Sequence, residues 1–357
     1  MHKSLRFLAS VAAFLPFLIP AFARAEAWVA LDTPTDLALY GVDCVSSSAC
    51  IAVGDTGTVL YTTDRYTWNE GSSGVSVALL DVEYYSSTLA FAVGGTGTII
   101  KSTDGGATWT SMTSGTTETL NDIAMASSTI GWAVGEDGQI RKTTDGGTTW
   151  TNVGTSSMDA RTIDAVSTSV VWVGGSNGSI VRSTDGGTTW TSLATALGTT
   201  SDLTTIDAVS STTAYVGGEA RLFSRTTDSG ATWTALTSTN FDAGEYVSDI
   251  AMYTSSFGSV VGNNMHIVSI SSSTTVAAES VVGSMTGFYD VAAPSAGVRF
   301  ATGLGVIALF DPYGPDEPAG FGMSDDDGVY TNDLTPSFKW DAAVDDEGDI
   351  DHYEFST

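Results

Sequence analysis

Positive charge is scarce in this sequence: 13 Lys and Arg stand against 41 Asp and Glu in 357 residues, a formal net charge of −28. Nucleic acid and anionic membrane surfaces are thereby excluded as partners, because phosphate binding needs clustered Lys and Arg. Histidine is scarcer still. Beyond the first residues only His266 and His352 remain, and neither sits in a G-x-S-x-G or H-E-x-x-H setting, so the usual hydrolytic constellations lack their base or their ligands. His266 reads as a strand residue. There are two cysteines, Cys44 and Cys50, with no histidine nearby, which argues against a metal site; no cofactor is implied. A 3.6-residue apolar periodicity is missing throughout, and the Thr, Val and Gly content is high, which excludes a helical solenoid. After Phe22 no apolar run is long enough to span a bilayer.

Residues 1–25 form the one long apolar stretch. Lys3 and Arg6 precede an apolar core from Phe7 to Phe22, and small residues follow at Ala21, Ala23 and Ala25. Basic start, short apolar core and A-x-A end predict a signal peptide cut after Ala25, or after Ala23, with an uncleaved anchor as the alternative. Export to the periplasm, cell surface or medium is expected, with no stable membrane insertion after cleavage. Removing Lys3, Arg6 and Arg24 leaves 10 basic and 41 acidic residues, a mature charge of 10 − 41 = −31. Such acidity serves solubility, or a cation-binding surface. Cys44 and Cys50 flank a polar turn between two strand-like runs, and an exporting compartment permits a disulfide between them.

What is abundant is repetition. The octets Ser102–Trp109, Thr143–Trp150, Ser183–Trp190 and Thr226–Trp233 share the pattern T-D-G/S-G-x-T-W, and Thr62–Trp68 is a shorter copy without glycines. Trp68, Trp109, Trp150, Trp190 and Trp233 are 41, 41, 40 and 43 residues apart. Before each octet come an alternating run, a Ser/Thr turn, a V-G run, a Gly-rich turn and another alternating run. Four short strands in a period of about 40 residues predict an all-β propeller. Two more copies without the octet begin at Tyr246 and Phe288, making seven blades over residues 26–311. The seventh stops at Asp311 without a last strand. The segment Trp28–Thr35 resembles that strand and lies 40 residues before Trp68, so it is expected to close the ring and remove the open edge. Residues 312–318, rich in proline, read as a linker. Residues 319–357 resemble the opening of an immunoglobulin-like or fibronectin type III-like module, too short for the hundred or so residues such a module needs.

The octet matches the Asp box, found between the third and fourth strands of some propeller blades. Its carboxylates, Asp64, Asp104, Asp145, Asp185 and Asp228, would accept turn amides, and Trp109, Trp150, Trp190 and Trp233 would pack between blades. Five near-identical carboxylates on separate blades cannot share one active site, so these positions read as structural and no catalytic residue is assigned. Sialidases carry the same box, but their chemistry needs an arginine cluster. Here Arg65, Arg141, Arg182 and Arg225 fall in or beside the box strands, where they are expected at the surface.

The recurring Asp-Ile/Val-Ala, W-A-V-G-x-x-G and T-T-D-G-G-x-T-W segments over residues 28–311 most resemble the photosystem II stability/assembly factor family of seven-bladed propellers. That resemblance implies a lumenal or periplasmic chaperone-like factor that binds an assembling membrane protein through a basic surface. The acidity of this chain departs from it. The turns between second and third strands are expected to gather on one face around the central channel. They carry Asp55, Thr96, Glu136, Asp137, Asn177, Glu219, Asn263 and Asn264, a rim suited to a protein or extracellular glycan, or to a cation, where these are not simply soluble turn residues. The reading is an exported non-catalytic binding scaffold. Its alternatives are a sialidase-like glycoside hydrolase and an assembly factor for a membrane protein complex.

Overall fold

The computed structural model describes residues 27–311, apart from 155–157, 237–244, 264–266, 272–274, 279, 283–286 and 296. The leader, the linker and the segment 319–357 lie outside the described residues, as do Asn264 and His266. The described chain forms seven sheets, six antiparallel ones of four strands and one of five. These are the blades of a propeller, numbered here in chain order from the first strands Leu39–Cys44, Leu79–Glu83, Leu120–Met125, Ala160–Ala165, Leu203–Asp207, Val247–Thr254 and Phe288–Ala292.

Each first strand begins with a buried apolar residue and then carries a bulge at its second position, as between Leu79 and Asp81 or Phe288 and Asp290. All seven blades share it. A bulge adds a residue on one side and turns the strand locally. Outside blade 1, which has Gly41 there, it places an acidic or hydroxyl side chain next to the buried start of the strand. The second strands, such as Ala90–Gly94, Gly131–Gly135 and Val171–Gly175, are buried along their whole length, as expected for the middle of a sheet covered on both faces.

The ring closes through the N-terminal strand Ala27–Leu31, which pairs antiparallel with the third strand of blade 7, Trp28 opposite Phe310 and Leu31 opposite Ile307. Blade 7 nevertheless differs from the four-strand expectation. Ser280–Val282, just after blade 6, runs parallel to Ala27–Val29 on its other side. The terminal strand is thus hydrogen-bonded on both edges, and its Trp28 is fully buried against Phe310 at 5.8 Å.

Between blades the packing is apolar and reciprocal. The box tryptophan of one blade lies on the second strand of the blade before it: Trp68 meets Phe300 edge-on at 6.0 Å and Trp233 meets Trp172 at 6.4 Å. The second glycine of the box is required by the same approach. Gly147 has φ +86°, and a Cβ there would stand 2.7 Å from the Phe91 ring. Gly187 lies close against Trp132, and Gly230 against Leu193 and Trp172.

Within each box the aspartate is saturated by its own turn. Asp145 accepts Thr143 Oγ1 at 2.9 Å, the Thr149 amide at 2.9 Å and Thr149 Oγ1 at 2.7 Å. Asp104, Asp185 and Asp228 repeat the arrangement. Asp64, in the shortened copy, takes Thr62 Oγ1 and the amides of Tyr66 and Thr67. Stabilisation of the charged form lowers these carboxyls, Asp185 to about 2 through the Thr189 amide and hydroxyl.

The basic residues flanking the boxes are not free surface groups, and the surface expectation for them is corrected. Arg65, Arg141, Arg182 and Arg225 are half-buried. Arg65 pairs with Asp311 at 3.1 Å, Arg182 covers Trp172 and donates to Ser211 O of the next blade, and Lys101 and Lys142 donate to Gly146 O and Gly186 O of the next box. The long side chains suit this use because their stems cover apolar rings while their charged ends reach a neighbouring turn.

Cys44 and Cys50 lie opposite each other in blade 1 and are joined, with Cα atoms 4.1 Å apart.

This packing can be tested at two places. Gly147→Ala combines a positive φ with a clash against Phe91 and should cost about 2 kcal/mol or more in urea unfolding, whereas Asp145→Ala, which opens one exposed turn, should lower Tm by less. A Gly147→Ala protein as stable as wild type would refute the close-approach role of the second box glycine. For the disulfide, mass spectrometry of protein purified without reductant should show no free thiol. The double change Cys44→Ala/Cys50→Ala should lower stability by about 2 kcal/mol, the chain-entropy value for so short a loop.

Candidate functional site: the central channel and its mouth

The first strands line a central channel of about 470 Å³. Their third and fifth positions bring eight carboxylates into it: Asp43, Asp81, Glu83, Asp122, Asp164, Asp207, Asp249 and Asp290. Each accepts a backbone amide from the following blade. The amides are Val42 to Asp290 at 2.5 Å, Tyr84 to Asp43 at 2.7 Å, Ile123 to Asp81 at 3.0 Å, Met125 to Glu83 at 3.4 Å, Ile163 to Asp122 at 2.7 Å, Ala208 to Asp164 at 2.6 Å, Met252 to Asp207 at 2.6 Å and Val291 to Asp249 at 3.2 Å. Every one of the seven junctions, including that between blades 7 and 1, has at least one such clasp. Where blades 4 and 5 carry threonine at the third position, Thr162 accepts the Ile206 amide and Thr205 donates to Asp249.

Confinement decides the ionisation of these groups. Burial in the channel wall pushes Asp43 and Asp164 up to about 6, against the backbone hydrogen bonds that favour their charged forms. Burial and the neighbouring carboxylates raise Glu83, Asp122, Asp207 and Asp290 well above the ordinary range. Like charges so close cannot all ionise, and a proton shared between Asp81 and Asp122, and between Asp249 and Asp290, relieves the repulsion. Among the described residues no group of three His, Cys, Asp or Glu is arranged to hold a metal ion.

The channel opens on the face that carries the turns between second and third strands. Glu136, Asp137, Asn177 and Glu219 are exposed there, and Thr56, Thr96, Asp137, Asn177 and Ala220 occupy one equivalent left-handed position with φ between 51° and 55°. Asp55 and Asn263 are half-buried and engaged: Asp55 accepts the Tyr40 hydroxyl at 3.1 Å and Asn263 Oδ1 accepts the Tyr246 amide at 3.0 Å. Glu136 and Asp137 converge with Tyr40, Leu80, Asn121, Asp159, Arg161 and Thr204 around one opening. Thus two of the rim residues singled out in the sequence are brought together at the mouth, whereas Asn177, Glu219 and Asn263 lie outside that group.

The channel acids themselves are not among the residues that sequence reasoning singles out. Their signal is present in the sequence as an acidic residue two or four places after the apolar start of each first strand, in L-L-D-V-E, L-T-T-I-D or F-Y-D-V-A. Arg161 escapes it as well. Among the described residues it is the one arginine of the channel lining, and it pairs with Asp202 at 2.6 Å, while the Asp202 and Asp159 carboxylates accept the turn amides of Asn177 and Asp137.

The raised carboxyls have a definite stability signature. A group with a higher pKa folded than unfolded contributes fully below its unfolded value, near 4, and loses that contribution as pH rises through its folded value. For Asp43 and Asp164 this window runs from about pH 4 to about 6. The box aspartates act oppositely, losing their contribution only as pH falls below about 4. Tm should therefore peak at mildly acid pH and decline towards pH 8, and Asp164→Asn should flatten the decline. A Tm that rises steadily from pH 5 to 8 would show that the channel carboxylates are ionised without penalty.

The family model described as "Photosynthesis system II assembly factor YCF48" matches residues 107–251, from the box of blade 2 to the first strand of blade 6. No curated protein matches the chain. Among solved structures, YCF48 from Cyanidioschyzon merolae is 17% identical with a TM-score of 0.65, over 80% of this chain and 99% of that one. A structure titled "YCF48 bound to D1 peptide" is 17% identical with a TM-score of 0.66, over 80% and 96%. U3-55K is 9% identical with a TM-score of 0.67, over 80% and 99%. At such identities the likeness is one of fold: the chain is a seven-bladed propeller, and across its middle blades it is similar to the photosystem II assembly factors.

Proposed function

We propose that the chain is an exported, non-catalytic scaffold that binds a protein partner on the mouth face of its propeller. The observation that carries this reading is the division of labour among the acids. Those in the channel and in the boxes are each consumed by backbone amides, so their chemistry is spent on closing the ring and shaping turns. Glu136 and Asp137 at the mouth have exposed side chains and do not hold the fold. An acidic opening of this kind steers a basic protein surface towards it.

The partial match to the assembly-factor model supports a binding role, as does a propeller of the same fold titled as bound to a peptide. They also keep the narrower reading, an assembly factor for a membrane protein complex, as the second one. A glycan partner and a sialidase-like activity are less well supported. A substrate carboxylate is held by several arginines, whereas the lining of this channel offers Arg161, already paired with Asp202.

The test is charge reversal at the mouth. With partner captured by cross-linking from the exporting compartment, Glu136→Lys/Asp137→Lys should slow association roughly tenfold and weaken its salt dependence, since rim charges act mainly on encounter. Unchanged association would remove the mouth from the interface. Turnover of sialosides that is abolished by a single channel substitution would replace the scaffold reading with the enzymatic one.

A further inference from the structure

The mouth face is not uniformly polar. At the seam where blade 7 meets blade 1, Leu304 is 56% exposed, Leu37 41% and Tyr289 36%. These are three of the six large apolar residues that stand out from the surface among the described residues. The backbone holds them together: Ala38 and Leu304 form a bridge, and the Gly305 amide donates to Leu37 O at 3.1 Å. Tyr289 lies 5.4 Å from Tyr40, whose hydroxyl donates to Asp55. Both tyrosines also line the channel opening. Two leucines and two tyrosine rings therefore form a shelf that leads to the acidic channel, with exposed Asp36 beside Leu37.

We propose that this seam shelf is the docking site for an extended segment of another protein in which an apolar residue is followed closely by a basic one. The apolar side chain rests on Leu37, Leu304 and Tyr289, and the basic side chain turns towards Asp36, Asp55 and the channel mouth. The inference rests on the protein-partner reading above and names the chemistry of that partner. Charge selects the occupant. A second copy of this chain is equally acidic and is repelled. The chain's own segment 319–357 includes Asp325, Asp326 and Asp327 with Lys339 as its only lysine or arginine, and is repelled likewise. A basic and apolar segment is the one occupant that the leucines and the carboxylates both favour: aromatic and aliphatic anchors supply the binding energy, and the charges supply direction.

The test uses the mature protein and a fluorescein-labelled, unstructured dodecapeptide of Leu, Lys and Ser, with two control peptides in which Lys is replaced by Glu or Leu by Ser. Anisotropy should show binding of the Leu-Lys peptide that weakens with salt, and little binding of either control. Leu37→Ser/Leu304→Ser should weaken binding about tenfold, the effect of losing roughly one buried leucine side chain. Phe257→Ser, which removes an equally exposed apolar residue at the opposite end of a blade, should leave it within about twofold. Circular dichroism and Tm of the variants separate lost docking from lost fold. If the peptide binds and the leucine variant binds it equally well, or if the Ser control binds as well as the Leu peptide, the shelf is overturned while the scaffold reading stands. If no peptide binds and a glycan array does, the protein-partner reading falls with it.

Discussion

The ring depends on the carboxylate that each first strand extends to a backbone amide of the next. A propeller has no single core. Its blades are separate sheets that hydrogen-bond within themselves, and the apolar packing between them is nondirectional. A clasp from side chain to main chain at every junction adds the missing direction, fixing the height and tilt at which one first strand meets the next. The bulge at the second position of the first strands follows from this need, because it turns the acidic residues towards the axis soon after a buried apolar one.

That solution concentrates charge where solvent is scarce. Eight carboxyl groups face one narrow space, and the same amide bonds that favour ionisation compete with burial and with mutual repulsion. Burial prevails, so the axis of the molecule is held partly protonated at a pH where the rest of its surface is fully charged. The peripheral Asp boxes show the converse: the same residue type, exposed and surrounded by its own turn donors, is held below its ordinary range. Ring closure and turn formation are thus divided among aspartates that differ only in surroundings. The few cations take part as well: Lys101, Lys142 and Arg182 each lie over an aromatic ring and reach a carbonyl of the next blade, and Arg161 at the mouth is tied to Asp202.

The seam between blades 7 and 1 differs from the other junctions because the chain must close there with its own N-terminal strand. Ala27–Leu31 is held between two neighbours, and Leu37 follows where the chain crosses to blade 1. The exposed Leu37, Leu304 and Tyr289 occur at this crossing, where the repeat pattern is interrupted.

The sequence by itself determined the blade count, the closing strand, the box turns and the pairing partners of the two cysteines, because each of these is written within a few residues or in a period of about 40. The repeat could be read without knowing where any blade stood in space. Only the tertiary structure decided which acids share the channel, since Asp43, Asp122 and Asp249 lie on different blades and meet only when the ring is closed. The same holds for the second box glycine, whose reason is an apolar side chain on the preceding blade, and for the half-buried Arg182, whose alternation in the strand pointed outward while its end reaches the next blade. The fifth strand of blade 7 and the shelf at the seam were hidden for a like cause: both arise from contacts across the closure, between residues some 250 positions apart, where no local pattern carries a signal.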